Sequence, residues 1–203
     1  MLLLGAGLST SVLIQHLLAE CEKQDWQLTI ADKDEGRVST KVKNNSLVKV
    51  LKTDIQQENE LKVLITSSDL VISMVPAGFH DMVTKICLQC GRSILTASYV
   101  TEVMREMESQ FRDKGLLLLG EIGLDPGIDH MSAMKIINQI GQEGNELTAF
   151  ETFAGGLLAP TNDDNPWRYK FTWNPRNVVL AGQGVVKFLQ DGRFKYIPYH
   201  RIF

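Results

Sequence analysis

The chain has 203 residues, 44% of them hydrophobic and 22% charged, with a formal net charge of −3. That is the balance of an ordinary globular protein long enough to bury a sizeable core, and it gives no reason to expect nucleic acid or an anionic membrane as a partner. No apolar run is long enough to cross a bilayer, Leu2-Leu3-Leu4 lacks the flanks of a signal peptide, and the three cysteines, Cys21, Cys87 and Cys90, are too few for a disulfide framework, so a cytoplasmic setting is expected.

Residues 1–5 read as a first strand, and residues 9–22 carry Val12, Leu13, Leu17 and Leu18 at helical spacing. Between them lies Gly5-Ala6-Gly7-Leu8-Ser9-Thr10. In a G-x-G turn the first Gly makes the tight reversal and the second lets a pyrophosphate approach the backbone, with the free N–H groups of the helix start facing the anion. The third Gly of the motif is replaced by Thr10, whose hydroxyl, with that of Ser9, can add a donor. Gly5, Gly7, Leu8, Ser9 and Thr10 are therefore candidate dinucleotide-binding residues. Residues 28–31 form a second strand that ends at Asp32. An acid there accepts from both ribose hydroxyls and repels a 2′-phosphate, which favours NAD over NADP, while Lys33 offsets part of that repulsion. Residues 48–51 are a third strand, and Asp54 beyond it either approaches the adenine or is an ordinary turn residue. A polar helix follows, ending near Thr66.

Residues 70–75 are a fourth strand stopped by Pro76. Val75 and Pro76 sit where the chain would pass a nicotinamide ribose. Residues 79–90 read as a helix carrying Cys87-Leu-Gln-Cys90. A lone C-x-x-C on a helix, with no second ligand pair, reads as two buried thiols, and no metal is expected. Residues 93–97, 102–114 and 116–119 read as strand, helix and strand. Short strands alternating with helices imply a doubly wound α/β domain, a parallel sheet of the Rossmann type, over residues 1–123.

After Leu119 the texture changes. Residues 120–127 are a turn-rich crossover, and residues 129–139 a helix with Asp129 as its N-cap. Residues 147–153 are β-prone and open a second, α+β domain over 124–203, with further strands at 178–181 and 194–202. The segment 155–173, GGLLAPTNDDNPWRYKFTW, has neither a 3.6-residue nor a 2-residue apolar period. It spends Trp167, Tyr169, Phe171 and Trp173 on a loop that also carries Arg168 and Lys170, which points to a ligand-facing role. The half-apolar ending YIPYHRIF reads as a chain cut inside its second domain. An open edge with Tyr196, Ile197, Tyr199 and Phe203 would invite pairing with another copy.

The segments LLLGAG, SDLVISMVPAGFH, LTASYVT, GEIGLDPGIDHM, GGLLAP and DNPWRYKFTW resemble saccharopine dehydrogenase of the L-glutamate-forming type over essentially the whole chain. The resemblance implies an oxidoreductase of lysine metabolism that interconverts saccharopine with glutamate and 2-aminoadipate 6-semialdehyde, through an imine and hydride transfer with NAD or NADP. It also implies small amino-acid substrates, while the open edge described above makes a homodimer the expected assembly. By position it implies that Ser98 and Tyr99 touch saccharopine with Asp125 nearby, and that Lys170, Phe171, Thr172 and Trp173 close on substrate and cofactor. A substrate with several carboxylates and an amine needs cations, hydroxyl donors and an acid. Asp125 would hold the secondary ammonium, and Lys170 would bind a carboxylate or, with a lowered pKa, pass a proton. The alternatives are an Asp-Pro-Gly turn residue and a solvated cation.

Three features depart from the family pattern. Ala154 stands where a Cys is expected, Asp32 where eukaryotic relatives carry a basic or neutral residue for NADP, and the family continues past this C-terminus. Two further readings stay open: an imine reductase of the carboxynorspermidine type, and a dinucleotide-binding module without turnover.

Overall fold

Six short strands, β1 (Leu2–Leu4), β2 (Leu28–Asp32), β3 (Val48–Lys52), β4 (Leu70–Ser73), β5 (Ser93–Thr96) and β6 (Leu118–Leu119), pair in parallel in the order β3-β2-β1-β4-β5-β6. The computed structural model describes every residue except Asn44, Thr172, Trp173, Asn174, Gly182, Gln183, Ile202 and Phe203, and omits the side chains at 177, 180 and 181. Parallel strands covered on both faces are apolar at successive positions rather than at alternate ones. Leu2 and Leu4 join one core with Val71, Val83, Ile94 and Phe111, while Leu3 joins the other with Ile14, Leu28, Ile30 and Val38. This is the doubly wound sheet that the strand–helix alternation predicts.

The helices supply the two covers. In α1 (Ser11–Gln24), Ile14, Leu17 and Cys21 are buried at helical spacing, after a 3₁₀ turn over Leu8–Thr10. The sequence reading contained no helix over α2 (Glu35–Val42), which buries only Val38 and Val42 and is otherwise polar. Its signal is the cap: the Asp34 carboxylate accepts from Arg37 N at 3.0 Å. Next come α3 (Glu58–Thr66), burying Leu61 and Ile65, and α4 (His80–Cys90). The helix expected over 102–114 is broken at Met107 into α5 (Glu102–Glu106) and α6 (Glu108–Asp113). Cys87 is buried and Cys90 half-buried, both as free thiols, and burial pushes the Cys87 thiol up to about 12.

The start of α7 (Ile128–Gln142) corrects the sequence reading. Its N-cap is Gly127, at φ +149°, rather than Asp129. A Cβ at Gly127 would lie 2.2 Å from Gly123 O, so the chain can enter the helix there only through glycine. Asp129 instead lies in the first turn, where its Oδ1 accepts from Gly127 N at 2.9 Å.

The chain divides into two compact units, Met1–Thr148 and Ala149–Phe203. In the second, residues 149–153 form no strand, contrary to expectation; β-branched and aromatic residues make a strand only where a partner ladder exists. Residues 178–181 lie in a helix, α8 (Pro175–Ala181), rather than in a strand. Proline at the first helical position presets φ for the helix, and an apolar run that short has no period to decide its type. The described strands of this unit are an antiparallel hairpin of β7 (Val186–Gln190) and β8 (Arg193–Ile197). Asp191 and Gly192 turn it with φ of +51° and +69°, the type I′ combination. The strand expected over 194–202 therefore ends at Ile197, before Pro198, and Tyr199–Arg201 is a 3₁₀ turn.

Candidate functional site

The turn after β1 has the shape that dinucleotide binding requires. Gly5 sits at φ +93°, and a Cβ there would meet Met74 O at 2.6 Å. Nothing lies within 4 Å of the place where a Gly7 Cβ would stand, so the backbone beside Gly7 is open to an incoming group. An unobstructed backbone at the second glycine is what a pyrophosphate needs in order to approach. Leu8 and Ser9 are exposed beyond it, whereas Thr10 is fully buried and donates its hydroxyl to Gly7 O at 2.9 Å. The Thr10 hydroxyl thus closes the turn, in place of the phosphate contact expected of it.

Asp32 is also turned inward. Its Oδ2 accepts from Ala6 N at 2.6 Å and its Oδ1 from Asp34 N at 2.8 Å, at only 9% exposure. Both oxygens brace the turn, and each keeps a second lone pair beyond the bond it accepts. Lys33 beside it is exposed. Sequence reasoning missed Lys41, which reaches from α2 to Gly7 O and to Thr10 Oγ1, the latter at 3.1 Å. Partial burial, reinforced by Arg37, holds its ammonium pKa below the usual lysine range, with Asp32 opposing. No local pattern reveals such a contact, because its partners are 31 and 34 residues away in the chain. Asp54 is exposed after β3, and its Oδ1 accepts from Gln56 N at 3.0 Å, an Asx turn.

The second group of candidates follows β4 and β5. Val75 is buried and Pro76 exposed. Half-buried Ser98 lies 2.8 Å, through its hydroxyl, from Nε2 of His80, a fully buried residue that the sequence reading did not single out. The exposed Tyr99 ring points its hydroxyl at Asp125 Oδ1, at 3.3 Å. Partial desolvation and the Asp125 carboxylate both raise the Tyr99 phenol pKa, keeping it a donor. The crossover that carries Asp125 is stitched to this strand end: Glu121 N donates to Ser98 O at 2.9 Å, and Val100 N to Glu121 Oε1 at 3.1 Å. Further along, Asp129 Oδ1 lies 2.7 Å from His130 Nδ1. That hydrogen bond and the Asp129 charge raise the His130 pKa. The structure thus brings Ser98, Tyr99 and Asp125 together, from segments 26 residues apart.

In the second unit the loop is organised by its own acids and amide. Lys170 Nζ pairs with Asp164 Oδ2 at 2.8 Å, and Arg168 with Asp163 at 3.2 Å. Asn165 ties the turn through Nδ2 to Tyr169 O at 3.1 Å and through Oδ1 to Trp167 N, also at 3.1 Å. Tyr169 and Phe171 meet edge to face at 5.5 Å, and Trp167 and Phe171 are exposed. Thr172 and Trp173 lie outside the described residues.

Residues 1–119 match the family model of the saccharopine dehydrogenase NADP binding domain, and residues 123–203 that of the saccharopine dehydrogenase C-terminal domain. The chain is 34% identical over 196 residues to "Saccharopine dehydrogenase [NADP(+), L-glutamate-forming]" of Saccharomyces cerevisiae, covering 97% of this chain and 43% of that protein. It is likewise 34% identical over 192 residues to mitochondrial alpha-aminoadipic semialdehyde synthase of Mus musculus, covering 95% of this chain and 20% of that protein. The structure of apo L-Glu-forming saccharopine dehydrogenase from Saccharomyces cerevisiae superposes with a TM-score of 0.84 at 33% identity, over 99% of this chain and 44% of that one. The chain therefore spans less than half the length of the curated relatives it matches. The expected preference for NAD gains no support from these NADP-labelled relatives. With an NADP-binding domain over its first 119 residues, the chain belongs to the saccharopine dehydrogenase family.

Proposed function

We propose that this chain carries the dinucleotide-binding part of a saccharopine dehydrogenase acting in lysine metabolism, with NADP as its cofactor. The observation that supports it most is the pairing of the Tyr99 hydroxyl with Asp125 beside Ser98, where the strand ends of a parallel sheet present ligand-binding groups. Gly5, Gly7, Leu8, Ser9, Val75 and Pro76 would line the dinucleotide. Asp32 and Thr10 would hold the turn rigid, and the exposed Lys33 would face a 2′-phosphate. Asp54, engaged in its own turn, would have no direct part. A bound nicotinamide supplies a site that accepts or delivers a hydride.

Saccharopine loses a hydride from the methylene carbon next to its secondary amine and a proton from the nitrogen, which leaves an imine. Water adds across the C=N bond, and the C–N bond then breaks to give glutamate and 2-aminoadipate 6-semialdehyde. Asp125 would orient the secondary ammonium, and Ser98 and Tyr99 would donate to a carboxylate. Lys170, Phe171, Thr172 and Trp173 are the candidates for substrate contacts within a second domain that begins at residue 124. A homodimer in the reducing cytoplasm fits the free thiols and the exposed Phe194, Tyr196 and Tyr199. Saccharopine added with NADP to the purified chain should raise the absorbance of reduced cofactor. The reading fails if no reduced cofactor forms and calorimetry detects no saccharopine binding.

A further inference from the structure

Four polar side chains of the first unit meet beneath the ends of β4 and β5, and the chemistry above uses only one of them. Ser73 Oγ lies 2.9 Å from His80 Nδ1, Thr96 Oγ1 lies 3.4 Å from the same nitrogen, and Ser98 Oγ lies 2.8 Å from Nε2. Ser73, His80 and Thr96 are buried to 2% exposure or less, whereas Ser98 reaches the surface. Burial holds the His80 pKa below its ordinary value. The charge acting against that is Asp81, whose Oδ1 accepts from the Thr101 hydroxyl at 2.5 Å. The ring is therefore neutral, with one N–H and one lone pair.

Which nitrogen carries the proton follows from the hydroxyls. Thr96 Oγ1 already accepts from Ser98 N at 3.2 Å, so its own proton needs an acceptor. Among the described residues, the acceptor within reach of both the Ser73 and the Thr96 hydroxyl is His80 Nδ1. Nδ1 accepts, so Nε2 is protonated and donates to Ser98 Oγ. Ser98 then has its own hydroxyl proton left over, and the surface is the direction open to it.

We infer that His80 is a positioning residue that holds the Ser98 hydroxyl as an outward hydrogen-bond donor, matched to a carboxylate of the substrate and mismatched to a group that can only donate. The inference rests on the reading of Ser98 as a substrate contact. In the opposite tautomer Ser98 would spend its proton on Nε2 and present lone pairs, which repel a carboxylate.

Two measurements on the full chain test this. Nitrogen-15 NMR of the His80 ring at neutral pH should show Nδ1 unprotonated and Nε2 protonated. A protonated Nδ1 at neutral pH overturns the inference. Calorimetry with saccharopine, in the presence of reduced cofactor, should show His80→Leu weakening saccharopine about tenfold while cofactor affinity stays put. His80→Gln, which restores a donor near the Nε2 position, should bind saccharopine within about threefold of the unaltered protein. Unchanged saccharopine affinity in His80→Leu, or no rescue by Gln, overturns the positioning role. An unaltered chain that binds cofactor but no saccharopine overturns the functional reading and the ligand assigned to Ser98, while the NMR result still decides the tautomer.

Discussion

The two units differ in how they are held together. In Met1–Thr148 the sheet is covered on both faces, and the buried hydrophobic residues of its cores run from Leu2 to Phe111. In Ala149–Phe203 no described residue is buried below 9% exposure, and order comes from short-range devices: a type I′ turn, two ion pairs and one Asn that binds its own loop. A unit of the first kind resists change through packing. A unit of the second kind depends on individual turn residues and charges.

Truncating one phenylalanine in each unit should separate the two kinds of stability. Phe111→Ala, at 2% exposure, should cost about 3–5 kcal/mol of stability by denaturant unfolding. Phe153→Ala, at 91% exposure, should stay within about 0.5 kcal/mol. Equal costs at the two sites would erase the distinction. Next in size is Gly5→Ala. The new methyl would press on Met74 O with φ held at +93°, so about 2–4 kcal/mol should be lost together with dinucleotide affinity. Retention of both would mean that the turn has another way to close.

A smaller effect sharpens the role of Asp32. If its carboxylate braces the turn through Ala6 and Asp34, then Asp32→Ser should weaken NADP and NAD alike, by about 1.5–3 kcal/mol, because charge-assisted bonds to backbone N–H groups disappear. A change confined to the NADP-to-NAD ratio would return Asp32 to the ribose. The smallest effect is at Asp129 and His130. The His130 pKa is raised, so its contribution to stability is complete below the ordinary imidazole value near 6.5 and fades as pH rises through the folded value. For Asp129, desolvation pushes upward, but hydrogen bonds from His130 and Gly127 outweigh it and lower its pKa. Its contribution is therefore complete above the ordinary value near 3.8 and fades as pH falls through the folded value. The pair helps most between those two values. Asp129→Asn should lower the His130 pKa in an NMR titration, and an unmoved pKa would show that the contact is not formed in solution.

The sheet was legible because buried parallel strands advertise themselves: Leu2 to Leu4, Leu70 to Val75 and Ser93 to Ala97 are short apolar runs between helical patterns. The Gly5–Thr10 turn was legible for the same reason, since its place between strand and helix carries the meaning. Helix α2 was not, because two buried residues make no period. The hairpin was legible but overlooked, as Asp191-Gly192 between β-prone runs is a strong type I′ signal. Within the site, residue types were readable and their partners were not. Asp32 bonding to Ala6, Lys41 reaching Gly7 and His80 reaching Ser98 are contacts between distant segments, set only once the sheet has assembled.

If the turn after β1 binds NADP as proposed, titration of the purified chain with NADPH, followed by the fluorescence of the reduced nicotinamide and paired with NADH, should show saturable one-to-one binding. NADPH should be favoured over NADH by at least about tenfold, the size of one charged contact. No saturable binding of either, or tighter binding of NADH, would contradict the proposal.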